Sequence, residues 1–123
     1  MNTKSLLIVT ALIEAGTGIA LLVAPSLTVE LLLGAGLSSP QSLVLGRVTG
    51  AALISIGIAC WLARKAGAVA TGLVTGMLIY NVAVPVLLLY AAIVFGMHGI
   101  LLWPVSILHL MLAIWCVACL RSR

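Results

Sequence analysis

Four long apolar runs dominate the chain, at about residues 5–24, 42–63, 67–94 and 100–120. A helix needs roughly 20 apolar residues to cross ~30 Å of hydrocarbon. The pattern therefore predicts an all-α integral membrane protein, with residues 1–123 forming a single four-helix transmembrane bundle. Between the first two runs lies Pro25-Ser-Leu-Thr-Val-Glu-Leu-Leu-Leu-Gly34, where a proline at the start and a glycine at the end bracket a short helix. Ser26, Thr28 and Glu30 are its only strongly polar side chains, which places it in the outer interface. Ser38-Ser-Pro-Gln-Ser42 then supplies an N-cap and a first-turn proline for the second span. The third run, near 28 residues, exceeds one straight crossing and contains Pro85, so a tilt or kink is expected. Proline has no amide hydrogen for the carbonyl four residues earlier, which here belongs to Asn81. Trp103-Pro104 falls in the first turn of the fourth run, where proline is tolerated. Trp61 and Trp115 near one set of span ends, and Trp103 near the other, fit interfacial aromatic belts.

The polar residues inside these runs carry the functional question. Glu14 lies in Thr10-Ala-Leu-Ile-Glu-Ala-Gly-Thr-Gly18, within the first span. A carboxylate near the bilayer centre costs about 2.5 to 3.5 kcal/mol on insertion scales and normally faces a bundle interior or a wet cavity. At about 100° per residue, Thr10, Ala11, Thr17 and Gly18 share its face, while Ile8, Val9, Ile19 and Val23 point away. The small and hydroxyl side chains suit a close, hydrogen-bonded helix contact, so the Glu14 face is expected to turn inward.

The other spans contribute Arg47, Asn81 and His109. Counting about 1.5 Å per residue from the span ends puts Glu14, Asn81 and His109 near mid-depth and Arg47 closer to the outer surface. Glu14, Asn81, His109 and Arg47 form the expected ligand or proton site. In one reading a protonatable Glu14 serves a proton relay, a substrate head group or a transported cation. In the other, a neutral Glu14 or a Glu14 and Arg47 ion pair holds the helices in register. Unless Arg47 extends inward to pair, it snorkels to the outer headgroups. Gly46-Arg-Val-Thr-Gly50 and Gly72-Leu-Val-Thr-Gly76 are both G-x-x-x-G motifs. Together with Gly18, they mark Gly46, Gly50, Gly72 and Gly76 as helix-packing positions, with close packing expected at one motif or both.

Composition agrees with the spans: 64% of residues are apolar, 7% are charged, and the mean hydropathy of +1.38 lies outside the soluble range. The net charge of +4 raises the question of nucleic acid, but the basic residues sit at span ends with no basic stripe or interleaved aromatics. They read as topology signals instead. Lys4, Arg64, Lys65, Arg121 and Arg123 cluster at one face, and only Arg47 belongs to the other half. By the positive-inside rule both termini are cytoplasmic, which suggests a multi-pass protein of a bacterial inner membrane. The N-terminal run resembles a signal peptide, yet it continues to Ala24, carries Glu14 and lacks a small-x-small cleavage site before Pro25, so it is expected to remain as a helix. Cys60, Cys116 and Cys119 form no secreted disulfide framework and lie near the cytoplasmic ends, where thiols stay reduced. Cys116-Val-Ala-Cys119 with Cys60 is a candidate soft-metal or redox set. Apolar packing of small side chains is the stronger reading, and no metal site is assigned. His98, between Gly96 and Gly99, reads as a solvated loop residue, and Tyr80 and Tyr90 as packing or interfacial residues.

No nucleophile elbow, zinc-protease helix, phosphate loop or dinucleotide turn is present, so the motifs point to neither an enzyme nor a cofactor. The order of an apolar helix, Pro25, a Leu-rich segment ending Leu-Leu-Leu-Gly34, then Leu45-Gly-Arg47 and Gly50 resembles small four-helix bacterial membrane proteins of the DUF4345 and DoxX-like type. That resemblance implies a four-helix bundle without a settled biochemical role. Ala11-Leu-Ile-Glu-Ala-Gly-Thr-Gly18 is also similar to the first span of small multidrug resistance transporters, which implies an essential role for Glu14. The long first loop with its own helix and the one-sided basic residues depart from that family. The leading expectation is a non-enzymatic membrane protein that binds an apolar or amphipathic molecule, a lipid or a partner's helices around the Glu14 centre, as a monomer or homo-oligomer. The competing expectation is a proton-coupled exporter of lipophilic cations.

Overall fold

The computed structural model describes residues 2–65 and 69–122. It contains five helices, α1 (Thr3–Val23), α2 (Pro25–Leu33), α3 (Pro40–Ala63), α4 (Val69–Phe95) and α5 (Leu102–Arg121), and no strand among the described residues. α1, α3, α4 and α5 are long and apolar enough to cross a membrane. Their limits fall within about three residues of those expected from the apolar runs; the expected start of the third span, 67–68, lies outside the described residues.

The punctuation between helices follows the local chemistry. Ser39 accepts from the Ser42 amide at 3.1 Å while the Ser42 hydroxyl accepts from the Ser39 amide at 3.2 Å, a reciprocal cap that starts α3 ahead of Pro40. α2 follows α1 after the single residue Ala24. Its carbonyl takes both the Thr28 amide at 3.0 Å and the Thr28 hydroxyl at 2.9 Å. Gly34 closes α2 at φ 82°, a left-handed conformation that favours glycine. A Cβ there would also lie 2.6 Å from the His98 carbonyl oxygen. α4 continues as one helix through Pro85.

The spans pack as two antiparallel pairs, α1 with α3 and α4 with α5, and the pairs touch each other less. The first pair meets through small residues. A Cβ on Gly50 would stand 2.6 Å from the Gly18 carbonyl oxygen, and one on Gly57 3.0 Å from that of Ala11. Such close backbone approach supplies the dispersion contact that association in lipid depends on. The ends that carry Lys4, Arg64, Lys65 and Arg121 come together, because one apolar cluster joins Leu6, Cys60, Ala70 and Cys116 there. Val9, expected to point away, packs against this cluster, while Ile19 and Val23 are exposed as expected. At the opposite end Leu88, Ala92 and Leu102 pack with Leu32 and Leu33 of α2. The Leu101 amide, donating to the Leu31 carbonyl at 2.9 Å, ties the start of α5 to α2.

Candidate functional site

Between the two helix pairs lies a buried polar centre. Glu14, Thr10 and Asn81 are at most 1% exposed and His109 is 6% exposed, although all four belong to spans of otherwise apolar character. The Asn81 Nδ2 donates to the Met77 carbonyl at 2.7 Å, one turn back on α4. That leaves its Oδ1 as the acceptor facing His109 Nδ1 at 2.7 Å. The imidazole therefore carries its hydrogen on Nδ1, and Nε2 is the acceptor of the neutral ring. Tyr80 meets the His109 ring edge-on, with centroids 5.5 Å apart, and its side chain also interacts with the Glu14 carboxylate. Tyr80 thereby links Glu14 on α1 to the Asn81 and His109 pair on α4 and α5.

Two acceptors at this centre have no hydrogen-bond partner among the described residues. Glu14 Oε1 and Thr10 Oγ1 are both buried and make no hydrogen bond. They lie four residues apart on α1, hence on one face. A buried polar group left unpaired costs about 1–3 kcal/mol, and more for a charged one, so a donor supplied from outside the chain would relieve a definite penalty.

A cavity of about 360 Å³ adjoins this centre, enclosed by α1, α2, α4 and α5. Glu14, Tyr80 and His109 stand in its wall with the hydroxyls of Thr17 and Thr28; the remaining lining is glycine, alanine and branched aliphatic residues. No lysine or arginine is among the lining residues, so Glu14 stands in this wall without a neutralising cation beside it. Size and lining both match small-molecule sites, which are mostly apolar, of ≈ 300–1,000 Å³, with a few convergent polar groups.

Glu14, Asn81 and His109, expected near mid-depth, are all buried around this centre. Arg47 does not join them. Its side chain is exposed on α3 and its Nε donates to the Leu22 carbonyl at 3.3 Å, near the α2 end of α1. The Glu14 and Arg47 pair is not formed, and Arg47 instead reaches along the outside of the helix pair to the α2 end of α1. Tyr80, read from sequence as a packing or interfacial residue, stands beside Glu14 and His109 in the cavity wall; its position midway along a span, away from the interfacial belts, was the available signal.

The glycines divide in the same way. Gly18 and Gly50 make the closest approach, while Gly46 packs against Leu37 and Pro25, where a Cβ would meet side-chain carbons at 3.0 Å. A Cβ on Gly72 or Gly76 would meet nothing within 4 Å, so the second motif makes no close contact among the described residues. Cys60, Cys116 and Cys119 are fully buried in the cluster at the charged end, and none is in a disulfide. Among the described residues no three His, Cys, Asp or Glu side chains come together as a metal site. His98 is exposed in the connection before α5. No protein-family model, curated protein or solved structure matches the chain.

Proposed function

We propose that this chain is a non-enzymatic integral membrane protein that binds a small amphipathic molecule. The apolar body fills the cavity and a hydrogen-bond-donating head group rests against Glu14. One observation carries this reading: a buried carboxylate with an unpartnered oxygen at the wall of an otherwise apolar cavity of ligand size, without a cation. The neighbouring acceptors make the same demand, since His109 Nε2 and the Thr17 and Thr28 hydroxyls can all receive hydrogen bonds. An ammonium, hydroxyl or amide head group supplies what these atoms lack.

Gathering of Lys4, Arg64, Lys65 and Arg121 at one end supports cytoplasmic termini, and with them an inner-membrane location with α2 at the outer interface. A proton-coupled exporter needs a route to Glu14 from both ends. Toward the charged end that route is filled by Leu7, Val74, Met77, Leu112 and Cys116, which favours binding over transport.

Native mass spectrometry tests the proposal. The protein released from lipid nanodiscs should retain one co-extracted small amphipath, and Glu14→Gln should retain less than a tenth as much. Equal retention by the two proteins would remove Glu14 from the binding site. A bare wild-type chain that also fails to take up dodecylammonium would end the binding reading.

A further inference from the structure

We infer that the ligand enters sideways from the hydrocarbon, through a portal between α1 and α5, and is therefore a single-chain amphipath dissolved in the bilayer half on the α2 side. This inference rests on the binding role proposed above and names the source and shape of the ligand.

The routes along the bundle axis are closed at both ends. Toward the charged end, the Leu7, Val74 and Leu112 cluster separates the cavity from water. Toward the α2 end, Leu31 and Leu32 form the cavity roof, and the Leu101 amide is hydrogen-bonded to the Leu31 carbonyl at 2.9 Å. Gly99 packs against the α2 backbone there, with no room for a Cβ. What remains is the flank. Gly16, Thr17 and Ala20 line the cavity from α1 and yet are exposed, and a Cβ on Gly16 would meet nothing within 4 Å. Leu101, Val105 and Leu108 form the opposing edge on α5. Gly16 lies seven residues before the end of α1 at Val23, about 10 Å deep by helical rise, so the opening faces acyl chains and not water.

Small residues along a helix would not make a site alone. Here the cavity behind them has Glu14 in its wall, a side chain that is 1% exposed and has an oxygen without a partner among the described residues. The volume limits the occupant. About 360 Å³ is roughly a dozen water-sized units at about 30 Å³ each, enough for one slender chain and a small head group and too little for a two-chain lipid.

Carbodiimide labelling in proteoliposomes tests the route. A carboxylic acid adds across one C=N bond of dicyclohexylcarbodiimide: its proton goes to nitrogen, its oxygen bonds to the central carbon, and an O-to-N acyl shift leaves a stable N-acylurea with no leaving group. Glu14 and Glu30 are the only acidic side chains, so peptide mass mapping assigns the label.

The membrane-soluble reagent should modify Glu14, while a water-soluble quaternary-ammonium carbodiimide should reach only Glu30. Gly16→Leu and Ala20→Leu should each slow Glu14 labelling about tenfold or more, an added barrier of about 1.4 kcal/mol. Gly72→Leu, equally uncrowded but away from the cavity, should label at the wild-type rate. Leucine is a better helix former than glycine, and unchanged unfolding midpoints will show that the variants fold. Wild-type rates in both plugged variants, or equal labelling of Glu14 by the water-soluble reagent, would overturn lateral entry and leave the binding site standing. Failure of dodecylammonium to protect Glu14 would instead overturn the binding reading itself.

Discussion

Gly50→Ala and Gly76→Ala make the same chemical change in the same Val-Thr-Gly context, and the structure predicts opposite outcomes. At Gly50 the new methyl would stand 2.6 Å from the Gly18 carbonyl oxygen, 2.9 Å from the Leu22 amide nitrogen and 3.0 Å from the Leu21 Cβ. Two of these are backbone atoms, so α1 and α3 must separate to admit it. Overpacking of this kind costs about 1–3 kcal/mol, against which alanine returns about 0.8–1.0 kcal/mol of helix propensity. At Gly76 the methyl meets nothing within 4 Å, and only the propensity gain remains. Because propensity enters both variants equally, their difference isolates the packing penalty: Gly50→Ala should be less stable than Gly76→Ala by about 1–3 kcal/mol. Reversible unfolding in mixed micelles, followed by helical circular dichroism, measures both. Equal midpoints would refute the close α1 and α3 contact on which the fold rests.

Tyr80→Phe removes the hydroxyl that interacts with the buried Glu14 carboxylate, and should lower stability by about 0.5–1.5 kcal/mol; an unchanged unfolding midpoint would contradict the contact. Asn81→Leu leaves the His109 Nδ1 hydrogen without its acceptor, and should cost about 1–3 kcal/mol; nitrogen NMR of the wild type should show the Nδ1-protonated tautomer, and an Nε2-protonated ring would break the assigned network. Ser39→Ala deletes one half of the reciprocal cap on α3, for about 0.5–2 kcal/mol, measured in the same unfolding assay. Gly34→Ala forces a side chain into a left-handed residue against the His98 carbonyl, and should raise hydrogen exchange in α2 and in the connection before α5 while sparing the α1 and α3 interface.

Most of the backbone could be read from the chain because apolar run length and capping residues are local signals. Pro25 and Gly34 bracket α2, and Ser39 with Pro40 starts α3, as their chemistry requires. The site was legible to the extent that depth alone decides it: Glu14, Asn81 and His109 share a level, and they meet. Depth does not say which way a side chain turns about its helix axis. Arg47, which counting places closer to the outer surface, lies exposed beside Leu22 and does not extend inward to Glu14. Tyr80 escaped for the same reason, since its approach to both Glu14 and His109 depends on how α4 sits against α1 and α5.

The two G-x-x-x-G motifs show the limit most plainly. Nothing local separates them, and the one on α3 is used because α1 offers Gly18 opposite Gly50. In lipid no hydrophobic force buries a glycine face by itself. The complement on the neighbouring helix decides, and a single helix sequence does not contain it.

Binding of dodecylammonium to wild type and to Glu14→Gln, in nanodiscs of matched lipid composition, tests the central claim most directly. Glutamine keeps the shape of the side chain and loses the charge. A hydrogen bond to a charged group contributes about 1.5–3 kcal/mol, so the wild type should bind one equivalent about ten- to a hundredfold more tightly than Glu14→Gln, with dodecanoate binding neither. Equal affinities for the two proteins, or dodecanoate binding as well as the amine, would contradict a carboxylate-anchored amphipath site.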